Sequence, residues 1–572
     1  MNDRLKFRAR IILSFILIAA FGLGFTLYRI QIVKGESYAK RATDQYVKPA
    51  SSLLDRGSIF FSSKDGTKVQ MATLKSGYIV YINPSDIQNP QSTYDALFEY
   101  IKVDKEEFLR KANKENDRYE EIVGQVPESV AMSIKGLKIV GVGITKEVWR
   151  VYPGNTMFAH GLGLLGENAS SSLVTGRYGL ERSYENVLRR FGSSSNVNVF
   201  AELFGGISDV VFSSKDGEQG DIVTSIEPTT QKYLEKVLLE VSDKWKSDIV
   251  GGIVIDPNTG EIIAMSSLPT FNPNDTSQVT DAKIFSNPLI ENVYEMGSII
   301  KPLTMAVGLD SGAFYPNSTY EDIGTLTLSG KKISNHDQKA RGVVPMQEIL
   351  SQSLNVGAAT IALEVGKQEF SKYFLNFGFG NKTGIDLPNE ASGIVNNLKT
   401  GRDVEIATVA YGQGIAISPI SVVNALSILA NGGYIVKPHL VKEIRETNGL
   451  VKNIDIYKSK PVLKKETTKQ VTDMLVKVVD TALLKGAIKN DRYSIAAKTG
   501  TAQIADPVNG GYYPDRYLHS FFGYFPAYNP KYLVFLFQVN PKGTEYAADT
   551  LTHPFDQITK FILNYFNIAP DR

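Results

Sequence analysis

From Ile11 to Tyr28 the chain runs without a single charge and is dominated by Ile, Leu, Phe and Ala. With its flanks this stretch just reaches the roughly 20 residues a helix needs to cross a bilayer. Arg4, Lys6, Arg8 and Arg10 precede it, and basic residues stay on the cytoplasmic side of a span. The pattern predicts a cytoplasmic tail over 1–10, a retained single-pass anchor over 11–30 and an exported remainder. A cleaved signal peptide is the rival reading, but no Ala-x-Ala-like site follows the apolar run.

Beyond the anchor the pattern is mixed. A β-like run, Gly77–Ile82, and a charged helical stretch, Asp104–Asn113, are its clearest elements, and Ser193–Asn198 and Ser213–Gly220 read as linkers. A different organisation starts near Asp221. Gln231–Val241 has helical amphipathicity, and Val250–Met265 reads as two strands about a Pro257-Asn258-Thr259-Gly260 turn. A helical pattern runs through Leu303, Met305, Ala306, Val307 and Leu309, and two more helical stretches cover Pro345–Gln352 and Val356–Val365. Tyr493–Ala502, Phe521–Phe525 and Tyr532–Val539 read as strands, and Phe555–Tyr565 as a closing helix. Early strands, a helical middle and late strands predict a sheet assembled from both ends of one domain, with helices on its faces.

Composition narrows the function. At 572 residues the chain is expected to form two or more domains. A net charge of +2 implies no nucleic-acid partner. There is no cysteine, so disulfide and thiolate chemistry are excluded. His160, His336, His439, His519 and His553 lack metal-ligand spacing, so no metal or cofactor is expected.

The candidate chemistry lies in three short motifs in order: Ser298-Ile299-Ile300-Lys301, Ser353-Leu354-Asn355 and Lys498-Thr499-Gly500-Thr501. A hydroxyl nucleophile needs a base within hydrogen-bond reach, and a lysine three residues along a helix shares its face. Decoys are frequent. Ser37-Tyr38-Ala39-Lys40, Ser329-Gly330-Lys331-Lys332, Ser194-Ser195-Asn196, Lys382-Thr383-Gly384 and Lys399-Thr400-Gly401 match single motifs. Each sits beside the apolar run, in a turn or in a Ser/Gly/Asn stretch. Ser298 instead opens the helical pattern at Leu303–Leu309, with Pro302 in its first turn, where a missing N–H costs nothing. Lys498 lies on a strand of small residues. One ordered triple remains. Read singly, Lys301 could be an exposed helix lysine, and Ser353 with Asn355 an ordinary helix cap.

The three motifs together resemble those of penicillin-binding proteins and serine β-lactamases. Other segments extend the resemblance to class B penicillin-binding proteins, the peptidoglycan D,D-transpeptidases. These are Arg56-Gly57-Ser58-Ile59, Gly179-Leu180-Glu181 with Tyr184, Asp256–Glu261, and Tyr411-Gly412-Gln413-Gly414-Ile415 with Ser418-Pro419. The last pair is closer to the division (septal) subgroup than to the elongation subgroup. Two departures stand out: Met296 where the family usually has proline, and Phe60-Phe61-Ser62-Ser63-Lys64 where an Asp-Arg pair is common.

The resemblance implies an α+β multidomain chain: a single transmembrane helix, a mixed α/β non-catalytic pedestal (dimerisation-type) domain over 31–220, and a transpeptidase domain over 221–572 with an antiparallel sheet flanked by helices. It implies that Ser298 attacks a D-Ala-D-Ala donor stem peptide, with Lys301 as base. Ser353 would relay a proton, and Asn355 would hold the acyl side-chain amide and Lys301. Lys498 would supply positive charge, Thr499 and Thr501 would bind the terminal carboxylate, and Gly500 would leave room for the substrate backbone. Backbone N–H groups of Ser298 and Thr501 would form the oxyanion hole. The implied partners are an amine acceptor peptide, β-lactam antibiotics, the membrane, a glycosyltransferase, and division or elongation complex proteins. A β-lactamase, a β-lactam sensor and a non-catalytic cell-wall scaffold are the alternatives.

Overall fold

The structure, a computed structural model, describes residues 55–115, 117–168, 171–190 and 219–572, together with scattered residues of 13–34. Only part of the expected anchor falls among them; residues 20–26 are helical. No helix among the described residues is long and apolar enough to cross a membrane. The decoys Ser37 and Ser194–Asn196 lie outside the described residues.

The chain forms two compact units. The smaller comprises residues 74–149. Its residues 74–82 are the second part of the strand Lys68–Ile82 and pair antiparallel with Glu120–Val126; the strand also pairs with Val142–Val151. Its core gathers Val80, Ile82, Leu97, Phe108, Val126 and Ile134. The charged stretch expected as a helix is one, Lys105–Ala112, because Asp104 caps it by accepting from the Glu107 amide at 2.8 Å.

The larger unit comprises 55–73 and 150–572. In it the strand Ile59–Ser62 pairs in parallel with Gly220–Thr224, which pairs antiparallel with Val441–Glu446. Nearby, the Glu181 carboxylate is fully buried and held by Arg56 Nε at 2.6 Å and Arg150 Nε at 2.7 Å. A buried carboxylate persists only when paired in this way. The segments resembling the family's pedestal motifs thus meet in one ion-pair cluster.

The rest of the unit carries the site. Its elements are α1 (Pro228–Trp245), β1 (Ile249–Ile255), β2 (Ile262–Leu268), α2 (Lys301–Asp310), α3 (Asn355–Val365), α4 (Lys465–Lys477), β3 (Ala496–Ala505), β4 (Tyr512–Phe525), β5 (Tyr532–Val539) and α5 (Ala547–Tyr565). The strands form one antiparallel sheet in the order β3-β4-β5-β1-β2, so the first and last parts of the domain do join. β5 is apolar from Leu533 to Phe537 because both faces of the sheet are covered. On one face Phe555 of α5 stacks on Phe521 with ring centroids 4.5 Å apart. On the other, the Tyr524 hydroxyl meets Thr472 Oγ1 of α4 at 2.7 Å.

Two elements exceed the expected spans. β4 starts nine residues earlier than the apolar run Phe521–Phe525, because its first half continues as a hairpin with β3 down to the Ala505–Tyr512 pair. α5 starts at Ala547 and keeps Pro554 inside it. β3 is left as an edge strand, with one side of its backbone unpaired by any other strand of the sheet.

Candidate active site

Ser298 lies in a single 3-10 turn, Gly297–Ile300, that runs directly into α2 at Lys301. The Lys301 amide donates to the Ser298 carbonyl, so both residues sit on one turn. Gly297 has a φ of +64°, and a Cβ there would lie 2.5 Å from the Thr501 carbonyl oxygen. Only glycine fits that position. The turn holds without the family's proline: Met296 is buried, its carbonyl accepts from Ser520 Oγ at 2.8 Å, and the Gly297 amide donates to Gly412 O at 3.0 Å. The Ser298 hydroxyl is partly exposed and has no hydrogen-bond partner among the described residues.

Lys301 is fully buried, not an exposed helix lysine. Its Nζ donates to the Ser353 carbonyl at 2.5 Å, to Asn355 Oδ1 at 2.8 Å and lies 3.2 Å from Ser353 Oγ. From the opposite wall Lys498 Nζ reaches the same Ser353 hydroxyl at 3.1 Å and the Thr499 carbonyl at 3.0 Å. Neither lysine pairs with a carboxylate among the described residues. Burial, and then the neighbouring Lys498, hold the Lys301 ammonium well below its ordinary range. Burial pushes Lys498 down to about 7. Two amines stripped of water and counter-charge, sharing one hydroxyl, favour a neutral Lys301 that can accept a proton.

Ser353 and Asn355 are not a helix cap. The N-cap of α3 is Leu354, and no side chain of its own caps it. The Val356 amide is taken instead by Asn335 Oδ1 at 3.1 Å, and Asn335 is fixed by the buried Asp322 at 2.8 Å. That leaves Ser353 and Asn355 free to face the lysines. Asn355 is oriented by donating Nδ2 to the Ser334 carbonyl at 2.9 Å. Ser353 itself has a φ of +56°, a strained backbone for a non-glycine residue and one that clusters at functional sites.

On β3, Lys498 and Gly500 are buried on the face toward Ser353 and the nucleophile turn, while Thr499 and Thr501, on the alternate face, are partly exposed. The Thr501 hydroxyl accepts from the Ala547 amide at the start of α5 at 3.1 Å. One role needs revision. A Cβ on Gly500 would overlap Ser520 Oγ and lie 2.7 Å from Met296 O and 2.9 Å from Ile299 N. The room left by Gly500 is therefore filled from the nucleophile side, and glycine is needed so that β3 can press against Met296 and Ile299, which flank Ser298.

All eight candidate residues thus meet where α2, the loop before α3 and β3 converge. The described decoys do not. Ser329 is in the turn between strands Thr325–Leu328 and Lys331–Ser334, and Thr383 binds Glu390 at 2.7 Å away from either lysine. The sequence reading missed Asn335, Ser520 and Glu295, which hold the site through contacts distant in the chain. Only Glu295 carried a local signal, its adjacency to the nucleophile turn.

The family model "Penicillin binding protein transpeptidase domain" matches residues 250–560. The chain belongs to this family. The model "Penicillin-binding Protein dimerisation domain" matches residues 55–224 as well, which makes the chain a class B penicillin-binding protein. It is 30% identical over 563 residues to the stage V sporulation protein D of Bacillus subtilis, covering 97% of this chain and 84% of that protein. It is 26% identical to the peptidoglycan D,D-transpeptidase FtsI of Escherichia coli, covering 79% of this chain and 74% of that one. In fold it is similar to penicillin-binding protein 2X from Streptococcus thermophilus, with a TM-score of 0.72, 21% identity, and coverage of 90% and 81% of the two chains. A peptidoglycan synthetase from Bifidobacterium adolescentis gives a TM-score of 0.66 at 20% identity, covering 91% and 97%.

Proposed function

We propose that this class B penicillin-binding protein, a peptidoglycan D,D-transpeptidase by family, works through an acyl-enzyme on Ser298. The observation that carries the reading is the burial of Lys301 and Lys498 on one hydroxyl with no carboxylate partner among the described residues. Lys301, neutral at working pH, takes the Ser298 proton as Oγ attacks the carbonyl of the penultimate D-Ala. Backbone N–H groups of Ser298 and Thr501, brought together by the contact of Gly297 with Thr501, bind the oxyanion. A single such donor is worth about 2.7–4 kcal/mol of barrier. As the C–N bond breaks, Ser353 passes a proton to the departing D-Ala nitrogen. An amine of a second stem peptide then attacks the ester, Ser298 recovers its proton, and a cross-link remains.

Thr499 and Thr501, beside Lys498 in the chain, bind the terminal carboxylate. An arriving anion favours the charged form of Lys498, so substrate itself completes the ion pair that the free site lacks. β-Lactams acylate the same serine. The chain sits as a single-pass protein in the bacterial cytoplasmic membrane, N-terminus inside, and acts in division beside a glycosyltransferase that supplies nascent strands. The uncharged apolar run over 11–28 and the basic residues before it support this placement.

Fluorescent penicillin on the membrane fraction tests the reading. A stable adduct that disappears in Ser298→Ala supports it. Rapid turnover of the drug would point to a β-lactamase, and no adduct on the native protein would point to a scaffold.

A further inference from the structure

Glu295, three residues before the nucleophile, has no part in the mechanism above, yet its carboxylate joins three segments of the site. Oε1 accepts from the Gly414 amide at 2.9 Å. Oε2 accepts from the Tyr512 hydroxyl at 2.9 Å. Gly414 is also held from its other side, where its carbonyl accepts from Asn397 Nδ2 at 2.7 Å. The backbone around Glu295 is bound to the same loop, through Tyr294 and Ile417, whose amides each donate to the other's carbonyl at 3.0 and 2.9 Å, and through Gly297 and Gly412 at 3.0 Å. Loop 412–417 is therefore fixed to the nucleophile turn many times over. Tyr512 is different. It begins β4 opposite Ala505, the last residue of β3, at the far end of the hairpin.

The hairpin end matters because of how an extended peptide lies on an edge strand. The terminal carboxylate goes to Thr499 and Thr501 and the reacting carbonyl to Thr501, so the rest of the donor continues past Thr501 along Ala502–Ala505. Four residues of strand span about 13 Å, long enough for several residues of a stem peptide paired to the free edge of β3. Beyond Ala505 the hairpin loop is exposed, with Val508 83% accessible. The Tyr512–Glu295 hydrogen bond anchors this far half directly to the turn that carries Ser298. Burial, which raises the Glu295 pKa, makes the hydroxyl of Tyr512 a needed partner.

We infer that Glu295 is a positioning residue, which through Tyr512 sets the distal half of the donor groove in register with Ser298, so that long peptide donors depend on it and compact acyl donors do not. The inference rests on the transpeptidase reading above and extends it to substrate length.

The test uses Tyr512→Phe in the full membrane-bound chain, since Tyr512 is 39% exposed and loses only its hydroxyl. Two donors are compared: a compact penicillin with a small acyl group, and a D-Ala-D-Ala pentapeptide. Expected is a five- to tenfold rise in KM for the pentapeptide with kcat within twofold, while penicillin acylation stays within twofold. Glu295→Ala should reproduce the KM rise, and adding Tyr512→Phe to it should cost nothing more. Equal loss for both donors, or a fall in kcat alone, would show a general structural role and overturn the inference. No change for either donor would overturn it too, while penicillin labelling of Ser298 in the same variant would leave the acyl-enzyme reading intact.

Discussion

Replacing Lys498 with methionine should make the protein more stable and less active at neutral pH, and the size of the gain follows from burial. An unfolded lysine is charged below about 10.4. In the folded chain burial holds Lys498 to about 7, with no carboxylate to compensate among the described residues. Between those two values the unfolded state binds a proton that the folded state refuses, so stability rises with pH across this window. At neutral pH the penalty is about 4 kcal/mol, from about 1.4 kcal/mol per pH unit. Methionine matches the stem and removes the penalty. It forfeits the hydrogen bonds to Ser353 Oγ and the Thr499 carbonyl, at 3.1 and 3.0 Å, each worth about 1 kcal/mol. The net gain is about 2 kcal/mol near pH 7, vanishing at about pH 9 and turning to a loss of about 1 kcal/mol by about pH 10. Thermal melts of wild type and Lys498→Met at pH 7 and pH 10 measure this directly, since 2 kcal/mol is a shift of several degrees. Penicillin acylation of the same variant should fall at least a hundredfold, because the carboxylate loses its cation. A variant that melts lower than wild type at pH 7, or whose gain is unchanged at pH 10, would show that burial does not lower the Lys498 pKa.

Lys301→Met should slow acylation of Ser298 by 10²- to 10⁴-fold, the range of a positioned general base, read as the second-order rate of penicillin labelling; labelling within threefold of wild type would remove Lys301 from the mechanism. The same rate should fall as pH drops through the lowered Lys301 pKa, since protonation removes the acceptor, and a rate that rises on acidification would reverse the assignment. Gly500→Ala forces a methyl group against Ser520, Met296 and Ile299. Overpacking of this kind costs about 1–3 kcal/mol, so both the melting temperature and the labelling rate should drop, whereas an unaltered rate would show that β3 need not touch the nucleophile turn.

Local signals on the chain were enough for the chemistry of each motif. A serine and lysine three apart meet on one turn whatever the rest of the fold does, and an unbroken apolar strand such as Leu533–Phe537 can only be a buried one. Hence the three motifs, the sheet built from both ends of the domain and the family were legible before any coordinates. The decoys were separable for the same reason, as turn residues such as Ser329-Gly330 announce themselves locally.

Other properties belong to no segment alone. That Lys301 and Lys498 are both dry, and share the hydroxyl of Ser353, follows from packing α2, α3 and β3 together; a lysine's pKa is set by the water and charge around it, which the chain's order does not specify. The purpose of Gly500 changed for the same reason, since the strand's neighbour proved to be the nucleophile turn. Helix α3 is capped by Asn335 from twenty-one residues away, and Tyr512 reaches Glu295 across 217. The sequence by itself determined which reacting groups this protein carries; only the tertiary structure decided their protonation and their reach, because both depend on groups brought close by folding and not by the chain.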